Sequence, residues 1–467
     1  MKKRILPLLM ASVIGVGTIA GGCGSASSTS TATGSTVTTT DSSADGSGTS
    51  TATSSDGTEQ RTVPSDRTEV KFWYSGGKSA VKVVEKIVDE FNDSQDKYFV
   101  TTATQADYDE TFQKLQAAIA GNAAPDCVLL DTDKTRALYE KKLVTAFTDY
   151  TSKDSDFNQD DYVSVFFDQG VYDDGTVYAI PAYGTTQVMY YNIQAFKDAN
   201  VDPSSIKTWQ DLADAAKKIK DTGKYKYGWE PMWGRDNLID AAFSNGAKVF
   251  SDDGKTVTIN SKEWVDVWEA FRKWIHDDQI MAIHSGGQGW EYWYATMDDA
   301  LKGVAGGYTG SSGDQADLDF SVVQAMEQPA FQDGTQSAPM AEALLLSVLN
   351  GSKDKQKQGA YEFMKYFTSA DAQTEWTMAT GYVPVNQKIE DNETYKDYIA
   401  KNPQASVPLE QAKHASVYPV DPTDGAVIDA LSTAADAVEI DGTSAQEALD
   451  DAQKTAQAAL DEALSSK

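Results

Sequence analysis

Strand and helix patterns alternate at the start of the part of the chain that can fold, and this alternation most limits its fold. Residues 70–74 form a short β-branched and aromatic run, residues 79–91 repeat apolar side chains at helical spacing, and residues 98–103 return to a strand pattern. A second helical segment, residues 108–120, leads into the apolar strand at residues 127–130. This βαβαβ order predicts an α/β lobe built on a parallel sheet.

The foldable part, from about residue 64 to residue 467, is too long for one hydrophobic core. Beyond a turn at residues 173–175, two strand-like segments precede Thr208, which is an N-cap candidate for the next helix. Residues after about 355 are mostly helical in pattern. The sequence therefore predicts two lobes of mixed strand and helix.

The N-terminus has the pattern of a secretory signal. Residues 2–4 are basic, residues 5–20 are apolar, and small residues lead up to Cys23. A cysteine at the cleavage point resembles the bacterial lipobox, in which this residue is diacylated and becomes the mature N-terminus. We therefore expect residues 1–22 to be a signal peptide and Cys23 to be the lipidation site, with no contact to the membrane except through this anchor. The alternative is an ordinary signal peptide followed by an unpaired cysteine.

Residues 23–66 consist mostly of Ser, Thr, Gly and Ala. They carry too few apolar side chains to offset the entropy of ordering, so we expect a disordered linker. A flexible coil of about 40 residues spans roughly 35 Å on average. Such a linker would hold the folded part clear of the membrane on the extracytoplasmic face of the cell, either at a bacterial surface or in a periplasm.

Charge and rare residue types argue against several functions. The formal net charge of −30 predicts a surface that repels nucleic acid and anionic lipid. After lipidation of Cys23, Cys127 is the remaining thiol, and its apolar neighbours indicate a core position. Because His276, His284 and His414 are far apart in the sequence, we expect no metal site and no cofactor. We expect a monomer.

Aromatic residues indicate what the chain could bind. The sequence has 10 Trp and 22 Tyr. Trp264 and Trp268 recur at helical spacing and are expected in a core. Trp233 follows Glu230–Pro231, and Trp290 lies in a glycine-rich segment, so these two are better candidates for a ligand surface. Flat apolar rings together with planar polar side chains suit a sugar, which has both C–H faces and hydroxyl groups.

Motifs for catalysis are incomplete. Ser79 and Lys82 match the Ser-x-x-Lys motif of penicillin-recognising enzymes, but the Ser-Asp-Asn and Lys-Thr-Gly partners are missing from the sequence. Carboxylates are abundant, and the sequence does not set the separation of any pair, so a secreted glycan hydrolase stays open as an alternative. The main expectation is a protein that is not an enzyme.

Several stretches resemble the extracellular solute-binding proteins of carbohydrate ABC transporters, the family of maltose- and glycerol-phosphate-binding proteins. The resembling segments are Val70-Lys71-Phe72-Trp73-Tyr74, Met189-Tyr190-Tyr191-Asn192, Thr208-Trp209-Gln210-Asp211-Leu212, Thr380-Gly381-Tyr382-Val383-Pro384-Val385 and Ser444-Ala445-Gln446-Glu447-Ala448-Leu449. The resemblance implies an α/β fold like that of periplasmic binding proteins, with two lobes, hinge crossovers and a ligand cleft between the lobes. It implies an N-terminal lobe of residues 67–177 plus 309–350 and a C-terminal lobe of residues 178–308 plus 351–467.

The resemblance also implies a set of ligand-contacting residues. The glycerol-phosphate branch suggests positions such as Tyr108 and Tyr382, and the maltose branch suggests the Glu-Pro-aromatic segment. The full expected set is Tyr108, Asp131, Tyr183, Thr185, Thr186, Glu230, Trp233, Trp290, Tyr308, Ser311, Glu342, Tyr382 and Asp424.

Departures from the family pattern bear on the ligand. No arginine follows Arg272, so the C-terminal arginine that neutralises a phosphate in the glycerol-phosphate branch is missing. Residues 421–425 hold carboxylates where a maltose-type binder has a stacking tryptophan, and Glu342 stands where the family often has glycine. A neutral mono- or oligosaccharide fits these changes.

The resemblance thus implies a lipid-anchored protein that captures this sugar by hinge closure and delivers it to the permease subunits of an ABC transporter. The alternatives are the glycan hydrolase and a binder of a polyol phosphate. A binder of peptides or amino acids would need an ion-pairing site for a zwitterion, which the sequence does not indicate.

Overall fold

The computed structural model describes residues 62–287, 290–423 and 425–465, except for the side chain of Lys78. The expected signal peptide, the lipidation of Cys23 and most of the linker fall outside these residues, as does Asp424. No helix among the described residues is long and apolar enough to cross a membrane.

The described part of the chain is mixed α/β, as the sequence predicts. Its strands are β1 (Thr68–Ser75), β2 (Tyr98–Gln105), β3 (Cys127–Asp131), β4 (Ile180–Asn192), β5 (Glu230–Pro231), β6 (Gly307–Ser311), β7 (Val323–Met326), β8 (Met340–Val348) and β9 (Ser416–Val417). Its α-helices are α1 (Lys78–Ser94), α2 (Tyr108–Ala120), α3 (Thr132–Glu140), α4 (Thr148–Thr151), α5 (Ser164–Phe167), α6 (Ile193–Asp198), α7 (Trp209–Asp221), α8 (Arg235–Phe243), α9 (Lys262–Arg272), α10 (Glu291–Leu301), α11 (Asp354–Phe367), α12 (Ala370–Thr380), α13 (Glu393–Lys401), α14 (Val407–Ala412), α15 (Ala426–Glu439) and α16 (Ala445–Ser465).

Strand pairing follows the order β2-β1-β3-β8-β4-β6-β5, with β7 added to β4 and β9 added to β8. Strands β1, β2 and β3 are parallel, which confirms the predicted βαβαβ unit. Strand β8 is antiparallel to both β3 and β4. The first half of β4 pairs with β8 and its second half pairs with β6 and β7, so this single strand continues from one part of the sheet into the other.

Helix α7 shows how local sequence sets an element boundary. The Thr208 Oγ1 accepts a hydrogen bond from the Asp211 backbone N–H at 3.1 Å, and the Asp211 carboxylate accepts one from the Thr208 N–H at 2.9 Å. This reciprocal pair is a capping box, which satisfies donors that the first turn leaves free. The predicted N-cap at Thr208 is confirmed.

Two large groups of buried side chains form the cores. The first joins β1, β3, β8 and the start of β4 to α1, α11 and α12, and it includes Cys127, which is fully buried as expected. The second joins the end of β4 to α7, α8, α9, α15 and α16, and it includes Trp264 and Trp268 at 0% exposure. The expected core positions of both tryptophans are confirmed.

The segments that pack together in each core differ from the segments that the expected lobe boundaries assign to each lobe. The lobe boundaries stay a prediction. Buried residues between 360 and 412 pack with β1 and β3, whereas the expected boundaries assign them to the C-terminal lobe. Conversely, β6 and β7 pair with the second half of β4. We propose that the lobes divide within β4, with residues 341–415 in the first lobe and residues 188–340 in the second.

Candidate functional site

Three tyrosines form a compact group on the first core. The hydroxyl oxygens of Tyr108 and Tyr183 are 2.6 Å apart, and the ring of Tyr183 lies 4.9 Å from that of Tyr382 and 4.5 Å from that of Trp376. Tyr183 is 1% exposed, whereas Tyr108 and Tyr382 are partly buried. Tyr183 is therefore the buried residue against which the more exposed Tyr108 and Tyr382 pack. Burial raises the pKa of Tyr382 to about 12, so its phenol stays neutral and can both donate and accept hydrogen bonds.

Acidic side chains lie beside these tyrosines. Burial, followed by the charges of Asp131 and Asp133, raises the pKa of Glu342 to about 8. Burial, followed by the charges of Asp131 and Asp421, raises the pKa of Asp133 to about 6. Like charges at close range and loss of water both disfavour ionisation. Glu342 is consequently a largely neutral carboxyl at pH 7.

Asp131 also has a structural role that the sequence analysis did not foresee. Its carboxylate caps α3 by accepting a hydrogen bond from the Lys134 N–H at 2.9 Å, and it forms an ion pair with the Lys134 Nζ at 2.6 Å. Lys134 in turn contacts Asp109 at 2.9 Å. These contacts occupy much of the Asp131 carboxylate. Its expected role as a hydrogen-bond acceptor for the ligand stays a prediction.

Residues of the second core act on the same acidic group. Burial lowers the pKa of Arg235, but the neighbouring Asp236, Tyr418 and Glu342 outweigh this effect and raise the pKa. The Arg235 Nη1 also donates to the Ser432 Oγ at 2.8 Å. Glu342 belongs to β8 and Arg235 opens α8, so a strand of the first core and a helix of the second both contribute to this polar site.

An aromatic surface adjoins this site. We define the α10 aromatic group as Trp290, Tyr292, Trp293 and Tyr294. Trp290 and Tyr294 are 65% and 58% exposed, and Trp290 packs against Trp293 with ring centroids 5.8 Å apart. Trp233 packs edge-on against Tyr292 at 4.9 Å, and Asp236 raises the pKa of Tyr292 after burial. The predicted surface positions of Trp233 and Trp290 thus belong to one group of rings next to the acidic cluster.

The end of β6 and the residues after it approach Thr185 on β4 and the ring of Tyr382. The Thr185 Oγ1 lies 3.3 Å from the Ser311 Oγ and 3.4 Å from the Ser312 Oγ. A Cβ on Gly313 would lie 2.7 Å from the Tyr382 ring, so glycine permits this close approach. These hydroxyls line the point at which β4 passes from one core to the other.

Three predicted contact residues are buried inside the protein. The Thr186 Oγ1 donates to the Met340 carbonyl at 2.7 Å and accepts from the Gln411 amide at 2.8 Å. Tyr308 is 0% exposed, stacks on Tyr190 at 5.1 Å and donates to Asp314. Both serve to join strands rather than to present a free polar group.

Glu230, the third, is also 0% exposed, and its charged neighbours differ from those of Glu342. It lies near Lys226, His284 and Asp299, and burial, followed by the charge of Asp299, raises its pKa to about 9. The sequence places Glu230 beside Trp233, but the strand pairing of β5 with β6 turns its side chain into the protein. The structure therefore does not bring Glu230 to the polar site around Glu342.

Several residues of the site were missed by the sequence analysis. They are Asp133, Lys134, Arg235, Asp236, Tyr292, Trp293, Asp314 and Tyr418. Trp293 donates its Nε1–H to Asp314 at 2.8 Å, which explains why a buried aspartate lies beside the aromatic surface. The run of four aromatics within residues 290–294 was the available sequence indication of this surface.

Comparisons with known proteins agree with this architecture. A family model described as bacterial extracellular solute-binding protein matches residues 86–404. The sn-glycerol-3-phosphate-binding periplasmic protein UgpB of Yersinia pestis is 25% identical over 362 residues, covering 74% of this chain and 80% of that protein.

Solved structures of binding proteins share the fold. A cyclic alpha-maltosyl-1,6-maltose binding protein from Arthrobacter globiformis superposes with a TM-score of 0.72 at 18% identity, covering 85% of this chain and 100% of the other. The UgpB protein of Mycobacterium tuberculosis in complex with glycerophosphocholine gives a TM-score of 0.73 at 20% identity, with 85% and 99% coverage. The predicted fold, two lobes of the kind found in periplasmic binding proteins, is confirmed.

Proposed function

Because the chain belongs to the family of bacterial extracellular solute-binding proteins, we propose that it captures a neutral mono- or oligosaccharide between its two lobes and delivers it to an ABC permease. The observation that carries this proposal is the meeting of exposed aromatic rings, neutral tyrosines and carboxyl groups across β4 and β8. Rings can stack on the C–H faces of a sugar, and the polar groups can bind its hydroxyls.

The charge of the site supports a neutral ligand. Asp131, Asp133, Asp236 and Glu342 surround it, while Lys134 already pairs with two aspartates. An anionic ligand would meet repulsion from the ionised aspartates of this group. A carboxyl such as that of Glu342, which is largely protonated at pH 7, can donate a hydrogen bond to one sugar hydroxyl and accept one from another.

Closure around the ligand is the proposed mechanism. A sugar that contacts Tyr382 on the first core and the α10 aromatic group in the proposed second lobe binds the closed arrangement better than the open one, so binding shifts the population toward closure. A micromolar affinity corresponds to about −8 kcal/mol, which a stacked ring and several buried hydrogen bonds can supply. The protein performs no chemistry on its ligand.

The remaining parts of the proposal concern the cell. The family is extracellular, and we place the protein at the outer face of the membrane as a monomer, held by a lipid on Cys23 after removal of residues 1–22. The linker then lets the folded part reach its permease.

A phosphorylated polyol is the second candidate, because sn-glycerol-3-phosphate-binding proteins are among the relatives. Arg235 is the cation of the site that could meet its phosphate. The carboxylates that surround Arg235 make this ligand the weaker candidate.

Calorimetric titration of the purified protein with mono-, di- and trisaccharides and with sn-glycerol-3-phosphate tests the proposal. We expect a sugar to bind intact, and Tyr382→Ala and Trp293→Ala each to weaken its binding by about tenfold or more, since tenfold is about 1.4 kcal/mol. Tyr398→Ala, on α13, is the matched control and should not change the affinity. Unchanged binding in both site variants would refute the assigned cleft. Binding of the phosphate ester alone would refute the sugar, and release of a cleaved product would refute the absence of catalysis.

A further inference from the structure

Glu230, His284 and Asp299 come together from three separate segments of the chain. Glu230 lies on β5, His284 lies in the loop that follows Met281, and Asp299 lies on α10. One ligand atom from each residue lies within 4.8 Å of the other two. The loop is held beside the strand because Ala282 donates its backbone N–H to the Trp229 carbonyl at 3.2 Å. The three side chains therefore face one another across a junction of strand, loop and helix.

The Glu230 carboxyl lacks the contacts that a buried carboxyl needs. Glu230 is 0% exposed, and neither of its oxygens has a hydrogen-bond partner among the described residues. Burial of an ionised or polar group without a partner is costly unless a proton or a cation compensates it. Lys226 is the nearby basic side chain, and it is exposed with its Nζ 4.5 Å above the ring of Tyr227. Glu230 thus points into the cluster, where His284 and Asp299 are its nearest ligand-bearing neighbours.

The distances fit a small tetrahedral ion. The His284 Nε2 lies 3.0 Å from an Asp299 oxygen and 3.6 Å from a Glu230 oxygen. Ligands bound to Zn²⁺ at about 2.0–2.1 Å in tetrahedral geometry are separated by about 3.3 Å. The two measured separations lie on either side of this value.

We propose that Glu230, His284 and Asp299 bind a divalent transition-metal ion of the zinc class. One imidazole nitrogen and two carboxylate oxygens are ligands that Zn²⁺ accepts, whereas Ca²⁺ and Mg²⁺ prefer sites made of oxygen alone. The sequence predicts no metal site because its three histidines are far apart. The site requires a single histidine and two carboxylates that only the fold brings together.

A bound ion would fasten α10 and the preceding loop to the sheet. Asp299 lies in the same helix as Tyr292 and Trp293, and His284 precedes them in the chain. The ion would accordingly hold the last turn of α10, the helix that carries Tyr292, Trp293 and Tyr294, in place. This role does not depend on which ligand the cleft binds.

The test measures metal binding by the full-length protein, purified without a polyhistidine tag and stripped with a chelator. Zn²⁺, Co²⁺, Ca²⁺ and Mg²⁺ are each titrated, and bound metal is counted by elemental analysis after dialysis. We expect one equivalent of Zn²⁺ per chain, a rise in the melting temperature with Zn²⁺, and a visible absorption band with Co²⁺. Ca²⁺ and Mg²⁺ should not compete.

Variants decide whether the three residues are the ligands. His284→Ala and Glu230→Gln should each weaken Zn²⁺ binding by at least about 100-fold, more than the 10–100-fold typical of residues that only support a ligand. His414→Ala is the matched control, because His414 pairs with one carboxylate, Glu327, at 2.6 Å. His284→Ala replaces a partly exposed loop residue, so it keeps the test valid where Glu230→Gln fails to fold.

The proposal is overturned by any of three results. The first is a lack of stoichiometric Zn²⁺ binding, which is expected if Glu230 instead shares a proton with Asp299. The second is a loss of Zn²⁺ binding in His414→Ala that equals the loss in His284→Ala. The third is tighter binding of Ca²⁺ than of Zn²⁺. None of them bears on sugar binding, so this proposal and the proposed function can fail separately.

Discussion

Replacement of Glu342 by glutamine tests the electrostatics of the cleft directly. Glu342 is partly buried on β8, next to Asp131 and Asp133, and its pKa is raised from 4.5 to about 8. A raised carboxyl pKa means that the folded protein holds the proton more tightly than the unfolded chain does. The stabilisation from this proton is complete below about pH 4.5 and is lost as the pH rises through about 8. Glutamine keeps the shape of the side chain and removes the titration.

The size of the effect follows from the shift in pKa. A change from 4.5 to about 8 corresponds to on the order of 5 kcal/mol when titration is complete. Water reaches this partly buried side chain, and Arg235 relieves some of the repulsion, so we expect about 1–3 kcal/mol. At about 2 °C per kcal/mol for a chain of this length, Glu342→Gln should melt ~2–6 °C above the parent protein at high pH.

The assay is thermal unfolding of the ligand-free protein at about pH 5 and about pH 8.5, followed by circular dichroism. The gain for Glu342→Gln should be present at the higher pH and should nearly vanish at the lower one. Glu393→Gln, at an exposed site on α13, is the control and should show no difference at either pH. If Glu342→Gln melts below the parent protein at the higher pH, or if its gain is the same at both, the argument from a buried, crowded carboxyl is refuted.

Two further predictions concern packing and capping. Gly313→Ala places a Cβ 2.7 Å from the Tyr382 ring and should weaken sugar binding, measured by calorimetry, at least about threefold, or about 0.6 kcal/mol. Gly351→Ala is the control and should leave the affinity unchanged, because its Cβ meets no atom within 4 Å. Equal affinities in these two variants would count against a role for Tyr382. Thr208→Ala removes the capping box of α7 and should cost about 1 kcal/mol, seen as a melting temperature ~2 °C lower, while Thr208→Ser should restore it. A Thr208→Ser variant as unstable as Thr208→Ala would contradict the capping argument.

Local patterns predicted much of the fold because they report on neighbours in sequence. The predicted helix at residues 108–120 matches α2, and the apolar strand at 127–130 matches β3 to within one residue. The two strand-like segments predicted between the turn at residues 173–175 and Thr208 fall largely in one strand, β4 (Ile180–Asn192). Periodicity identifies an element but does not say which other element it pairs with.

The candidate site was predicted less well for the same reason. Tyr108, Tyr183 and Tyr382 do meet, and Thr185 and Ser311 do face each other. Glu230 has a plausible sequence context beside an aromatic residue, but the pairing of β5 with β6 buries it. Arg235 was overlooked because a single charge after a glycine has no distinctive pattern, and its importance arises from Glu342, more than 100 residues away in the chain.

The position of β8 between β3 and β4 has a consequence for how the chain reaches its folded state. Until residue 348 is available, β3 and β4 lack the strand that joins them, and the helices α11 and α12 that cover this core come later still. Contacts between residues so distant in sequence form slowly. An N-terminal fragment therefore cannot fold into the complete first lobe. A chain that stays unfolded until most of its length has been made is well suited to passage through a secretion channel before folding.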